Sequence, residues 1–286
     1  MFDLGVMTEE AGDDIQTSIE TVGKLGLKRL EVSGFGPQKV SDLSDQEVGE
    51  LKAALDDNGI TVSCISPTIF FNLPLRAAPD ERSYWGSYNE HMEALRRSIG
   101  IAHRLGTRIV RVFGFKTETM LDPPLTGDHW PLLVQKFGDA VALAEKEDVT
   151  LAVETCFFNN IGTCTMARRL MDDLGSPNFK VLWDVVNCLY SGEKLFPEAF
   201  DLVKDDIVHI HLKDGHPNPA NMTFHMCRLG TGEVRQYPEI FAALAERDYA
   251  GGMSLECEFT PPGGTLVDAL DESLAGFKEL VDGLAG

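Results

Sequence analysis

Basic residues are scarce in this chain. Its 286 residues hold 25 Lys and Arg against 45 Asp and Glu, a formal net charge of −20 with histidine neutral. Such a chain repels phosphates unless it hides a basic groove, so no nucleic-acid partner is expected. An anionic membrane surface is disfavoured on the same ground. No apolar run approaches the length of a bilayer span. The opening MFDLGVMTEEAGDD lacks a basic region followed by an apolar stretch, so no secretory leader is expected. The cysteines, Cys64, Cys156, Cys164, Cys188, Cys227 and Cys257, form no Cys-x-x-Cys pair, and a chain this long needs no disulfide staples. They are expected to be free thiols in a reducing cytoplasm. Low-complexity tracts and Pro/Ser-rich linkers are missing too.

What is present reads as one globular unit spanning residues 1–286, with 43% hydrophobic and 24% charged residues. Short β-branched runs alternate with stretches of helical period. The runs cover 2–7, 27–32, 60–65, 107–113, 149–154, 180–185, 206–212 and 252–258. Helices are expected near 13–25, 44–58, 87–105, 130–147, 164–174, 197–204, 237–247 and 265–282, with Gly26, Gly59 and Gly106 as stops. Eight strands alternating with eight helices predict an α/β fold, a (β/α)₈ TIM barrel. A doubly wound sheet would show a glycine-rich phosphate loop after its first strand, and MTEEAGDD is not one. GFGP, after the second strand, has acids on both sides and no Gly-Lys-Ser/Thr.

In a barrel, function sits where strands end. Strand five ends at Glu154 and strand six at Asp184. Strand seven carries His209, His211 and Lys213, and strand eight Glu256 and Glu258. Like charges gathered this closely raise each other's pKa unless a counter-charge is present, and a divalent cation supplies one. Three carboxylates and one imidazole suit Mn²⁺, Mg²⁺, Co²⁺ or Zn²⁺ with positions open for substrate oxygens. The set is too poor in nitrogen for a structural zinc site. The period of two favours His211 over His209, because 211 lies nearer the rim on the same face. The same argument leaves Glu256 against Glu258 open. The bland alternative is a buried polar cluster or a set of solvated rim charges.

VET, WDxxN, HIHLKDG and SLECEF, in that order, resemble the sugar phosphate isomerase/epimerase family of xylose-isomerase-like barrels. The resemblance covers nearly the whole chain, including LGLKRLEVS with its Glu31. It implies one divalent metal ion held by Glu154, Asp184, His211 and Glu256, the last as the first acid of the E-x-E pair. It also implies a small sugar or polyol substrate. Glu154 and Glu256 would carry protons on opposite faces of that substrate through an enediolate, with Lys213 stabilising it. A salt bridge from Lys213 to Asp214 or Glu258 is the structural alternative. Asn187 stands three residues after Asp184, where ketose 3-epimerases of the family place a histidine, and so resembles the inosose and keto-inositol branch more; it is expected to bind substrate, with capping of a turn as the alternative. Arg228 lies where the family often binds substrate with a basic residue. His216 and His225 share its loop, and His216 is a further substrate-binding candidate.

Glu31 is expected to bind substrate or to pair with a rim base such as Arg111. His91, His103 and His129 read as surface or packing residues. Phe70, Phe71, Trp85 and Trp183 are candidates for a pocket lining, with core packing preferred for Trp183. The loop 66–86 is long and aromatic and is expected to cover the site, with a contact in a homo-oligomer as the alternative. The expected function is a divalent-metal-dependent isomerase or epimerase of a ketose, keto-inositol or related polyol. A lyase on the same scaffold is the alternative, expelling water or another β-leaving group. An apurinic endonuclease would need histidines at the ends of strands three and four, which read SCIS and RVFG. A non-catalytic binding protein would have no need of an intact ligand set.

Overall fold

The computed structural model describes residues 2–117, 129–218 and 223–285. Eight parallel strands close into a barrel: β1 (Asp3–Met7), β2 (Arg29–Val32), β3 (Thr61–Ile65), β4 (Ile109–Val112), β5 (Thr150–Glu154), β6 (Phe179–Asp184), β7 (Ile207–Leu212) and β8 (Gly252–Leu255). Each strand pairs with its neighbours in sequence, and β1 closes on β8. The expected (β/α)₈ barrel is therefore the observed fold.

Burial on both sides explains why the strands read as apolar runs. Leu30, Val110, Val112, Leu151, Val153, Val181, Trp183, Ile210 and Met253 lie in one buried cluster with helix residues such as Val22, Leu51, Leu95 and Leu170. Helix boundaries follow local chemistry. Ser44 and Glu47 form a reciprocal capping box ahead of Asp45–Asn58, and Ser87 and Glu90 do so ahead of Tyr88–Leu105. Gly59 and Gly106 end these helices at φ 61° and 79°, a left-handed turn that glycine makes without steric cost.

Two expected elements differ. The helix expected over 197–204 is regular only over Phe200–Val203. It is preceded by an irregular turn over Leu195–Ala199, in which Phe196, before Pro197, has extended backbone at φ −140° and ψ 137°. The eighth strand, expected to 258, ends at Leu255. The amides of Cys257 and Glu258 donate to the Glu10 carboxylate, at 2.6 and 2.7 Å, and Glu258 turns to φ 53°.

Two insertions shape the mouth. After β7, Asp214–Asn218 pairs antiparallel with Thr223–Cys227. After β3, the loop 66–86 packs inward, with Ile69, Phe70, Leu73 and Leu75 all buried. His91 fastens this loop. Its Nδ1 accepts from the Phe70 amide at 2.9 Å, which leaves Nε2 as the protonated nitrogen, 2.8 Å from the Trp85 carbonyl. The first part of the loop is thus a built wall, while residues 78–82 and the rings of Tyr84 and Trp85 are exposed. No helix among the described residues is long and apolar enough to cross a membrane. All six cysteines are free thiols, and all but Cys227 are buried.

Candidate active site

The polar side chains converge inside the barrel because strand alternation turns them there. Register places Asp184 beside His211 and His211 beside Ser254. Glu31 is fully buried, and its carboxylate takes two imidazoles. His209 Nε2 lies at 2.8 Å and His211 Nε2 at 3.0 Å, and the Ser66 hydroxyl donates to the same carboxylate. Burial opposes charge on Glu31, but His211 and His209 overcome it and hold its carboxyl well below the ordinary range.

With Nε2 held by Glu31, Nδ1 of His211 faces the other acids. It lies 3.0 Å from Glu256, 3.9 Å from Asp184 and 4.0 Å from Glu154. The 3.0 Å approach is an ion-pair distance without the alignment of a hydrogen bond, so Nδ1 is left without a hydrogen-bond partner. Asp184 splits its duties. Oδ1 accepts the Asn187 amide at 2.8 Å and caps the helix Val185–Tyr190. Oδ2 turns to the centre, 2.8 Å from Lys213 Nζ, again without hydrogen-bond alignment.

Lys213 also reaches Glu256 at 2.8 Å and Glu258 at 3.4 Å. Burial disfavours its charge, but Asp184, Glu256 and Glu258 hold its pKa well above the ordinary value. Lys213 therefore pairs with Glu258 and not with Asp214. Arg111 projects from β4, with one guanidinium nitrogen 3.0 Å from Glu154 and another on the Ser66 carbonyl at 2.8 Å. Burial pushes the Glu154 carboxyl up to about 7, against the pull of Arg111 and His211. Burial acts on Glu256 in the same direction, yet Lys213 and His211 hold its carboxyl below the ordinary range.

The donor set fits a divalent cation. Ligand atoms of Glu154, Asp184 and His211 lie within 4.8 Å of one another. Five carboxylates, Glu31, Glu154, Asp184, Glu256 and Glu258, face two fixed cations, Arg111 and Lys213, and the buried Nδ1 and Oδ2 atoms lack hydrogen bonds. Above them opens a cavity of about 460 Å³, within the range of small-molecule sites.

A profile of xylose isomerase-like TIM barrels matches residues 19–280. The chain belongs to that family. A 2-epi-5-epi-valiolone 7-phosphate 2-epimerase of Actinoplanes sp. is 25% identical over 239 residues, covering 81% of this chain and 80% of that one. An inosose dehydratase of Bacillus thuringiensis is 21% identical and covers 82% of each chain. The IOLI protein, solved with a bound zinc atom, superposes with a TM-score of 0.77 at 16% identity over 99% of both chains.

This xylose isomerase-like barrel brings Glu154, Asp184, His211, Glu256 and Lys213 to one centre, with Asn187 on the cavity wall. Three expected substrate contacts lie elsewhere. Glu31 sits beneath the centre, 0% exposed, and is spent on the two histidines; its expected partner Arg111 takes Glu154 instead. His216 lies opposite His225 in the hairpin register, beside Glu233, while Phe224 and Met226 turn to the cavity. Arg228 is anchored on the C-terminal helix by Glu279 at 2.6 Å and the Glu272 carbonyl at 3.1 Å.

Among the aromatic candidates, Phe71 lines the cavity, whereas Phe70 and Trp183 are core. The cavity is also lined by rings that the sequence reading passed over, Phe113, Phe157, Phe158, Tyr190 and Phe224. Their one sequence signal is position, each within a few residues of a strand end or in an inserted loop.

Proposed function

We propose that the protein is a divalent-metal-dependent isomerase or epimerase of a ketose, keto-inositol or related polyol. The observation that carries this reading is the buried Nδ1 of His211. It stands among Glu154, Asp184 and Glu256 with its other nitrogen fixed by Glu31. Glu154, Asp184, His211 and Glu256 would hold one Mn²⁺, Mg²⁺, Co²⁺ or Zn²⁺ ion. Bound there, the ion would polarise a carbonyl and its neighbouring hydroxyl and acidify the adjacent C–H.

The chain's own groups then divide the work. Glu154 removes the proton from the carbon beside the carbonyl. Lys213 offsets the negative charge that develops on oxygen. Glu256, ionised at rest, returns from the other side a proton passed to it by the Lys213 ammonium, its donor at 2.8 Å, while Glu154 gives up its proton to solvent and Lys213 regains one from there. Delivery to the same carbon inverts it, and delivery to its neighbour moves the carbonyl. Asn187 is placed to bind a substrate hydroxyl. Loss of a β-hydroxyl as water after the same proton removal is the second reading, supported by the inosose dehydratase relative.

Incubating the Mn²⁺-loaded protein with keto-inositols and ketoses in heavy water tests both readings. Deuterium gained at unchanged composition indicates isomerisation or epimerisation, and loss of one water indicates the lyase. No exchange with any of them would sink the proposal.

Glu31 earns its place through His211. A ligand histidine whose second nitrogen is fixed by a carboxylate keeps its tautomer and orientation, and removing such a partner weakens metal affinity about 10–100-fold. Glu31→Gln is expected to show that loss in a chelator competition with Mn²⁺. Wild-type affinity in the variant would remove Glu31 from the positioning role.

A further inference from the structure

The cavity is two-sided. At its floor lie the carboxylates and Lys213. Around the mouth, the loops after β3 to β7 contribute Phe71, Phe113, Phe157, Phe158, Tyr190 and Phe224, together with Met226. These rings form runs. Phe158 lies 3.7 Å from Phe157 between centroids, Phe157 4.1 Å from Tyr190, and Tyr190 5.0 Å from Phe224. Phe71 lies 4.8 Å from Phe113, whose ring is also covered by Arg111.

Phe158 remains 50% exposed, a cost in water that a bound apolar group would relieve. Among the described residues, polar rim groups are few. Thr68 and Asn187 stand on the aromatic side, and Glu9 and Glu258 are acids on the side of β1 and β8. The two cations of the lining, Arg111 and Lys213, are already paired with Glu154 and with Asp184, Glu256 and Glu258. Residues 118–128 and 219–222 contain no Lys or Arg. A phosphate at this mouth would therefore meet acids and ring faces, with no unpaired cation among the described lining residues.

We propose that the substrate is a keto-polyol bearing an aromatic substituent, an aryl glycoside being the simplest form. The polyol sits over the carboxylates, and the substituent lies on the Phe157, Phe158, Tyr190 and Phe224 rings. This rests on the proposed function only for which end reacts. Offset and edge contacts between rings favour a flat aromatic group over an alkyl one of the same polarity.

Binding tests the idea without requiring turnover. Phenyl β-D-glucoside and methyl β-D-glucoside share the sugar and differ in the substituent. Titration calorimetry on the full chain with Mn²⁺ is expected to show the phenyl compound binding at least about tenfold more tightly. Phe158→Ala, at an exposed position, and separately Phe224→Ala should each reduce that preference while leaving the affinity for the methyl compound unchanged. Glu154→Gln should keep the preference while losing deuterium exchange, so failure of the chemistry is read apart from failure of this proposal. Equal affinities would mean that the rings stack on the sugar itself and would overturn it. So would no heat from the phenyl glucoside, a preference untouched by both phenylalanine variants, or tighter binding of glucose 6-phosphate.

Discussion

Glu154→Gln is expected to slow proton exchange by about 10²–10⁴-fold, the usual worth of a positioned general base. The amide keeps the shape of the carboxylate, and its oxygen can still accept from Arg111. It cannot take a proton from carbon, and it brings one negative charge fewer to the centre. Elemental analysis should therefore also show reduced Mn, Co, Mg or Zn relative to wild type, with a further loss in the Glu154→Gln/Glu256→Gln double variant. The Arg111–Glu154 pair is almost wholly buried, with side chains 4% and 5% exposed. Breaking such a pair outright would cost about 3–5 kcal/mol. The glutamine retains a hydrogen bond and should lose less, so the thermal transition is recorded alongside. Full exchange and full metal content in a folded double variant would remove both glutamates from the chemistry.

The largest effect on stability is expected at Asp214, which the sequence reading set aside as a possible partner for Lys213. Its carboxylate is fully buried and accepts four backbone amides. Oδ1 takes Gly215 at 2.9 Å and Val234 at 3.2 Å, while Oδ2 takes Gly230 at 3.1 Å and Gly232 at 2.8 Å. One side chain thus ties the start of the hairpin to the turn that leaves it. The packing explains the glycine at 232, where a Cβ would lie 2.2 Å from Oδ1. Asp214→Ala strands four donors, each costing about 1–3 kcal/mol when buried without a partner. Relaxation and water will recover part of this, and a net loss of about 4 kcal/mol is expected in urea denaturation. Asp214→Asn keeps one accepting oxygen and should fall between. Activity should fall as well, because Lys213 is the preceding residue and its carbonyl is held by the Tyr237 hydroxyl at 2.5 Å. A change within about 1 kcal/mol of wild type would show that the turn does not depend on this anchor.

The barrel was legible because parallel strands buried on both sides leave apolar runs at regular spacing, and the helices between them carry caps at their ends. The residues that meet at the centre were legible for a related reason. Glu154 and Asp184 close their strands and His211 is the last residue but one of its own, so knowing the fold places them on one rim. Choosing Glu256 over Glu258 was beyond the period of two, because the left-handed turn at Glu258 breaks the alternation. Glu31 looked like a rim residue because its partners, His209 and His211, are 178 and 180 positions away. His216 takes its direction from the register of the hairpin after β7, and Arg228, just past that hairpin, is drawn to Glu279 and the Glu272 carbonyl on a helix more than forty residues away in sequence. The aromatic lining was hidden for a chemical reason: phenylalanine after a strand end reads the same whether it faces a core or a cavity.

Asp184 carries a consequence for how this chain can change over evolutionary time. Its two oxygens serve unrelated masters, one closing the first turn of Val185–Tyr190 and one facing Lys213 in the polar centre. Of the side chains that commonly begin helices, Ser, Thr, Asn and Asp, only aspartate brings a negative charge. Glutamate brings the charge but is a poor fit for the cap. The position is closed to drift from both directions, and the helix that presents Asn187 and Tyr190 is inherited together with the chemistry beneath it.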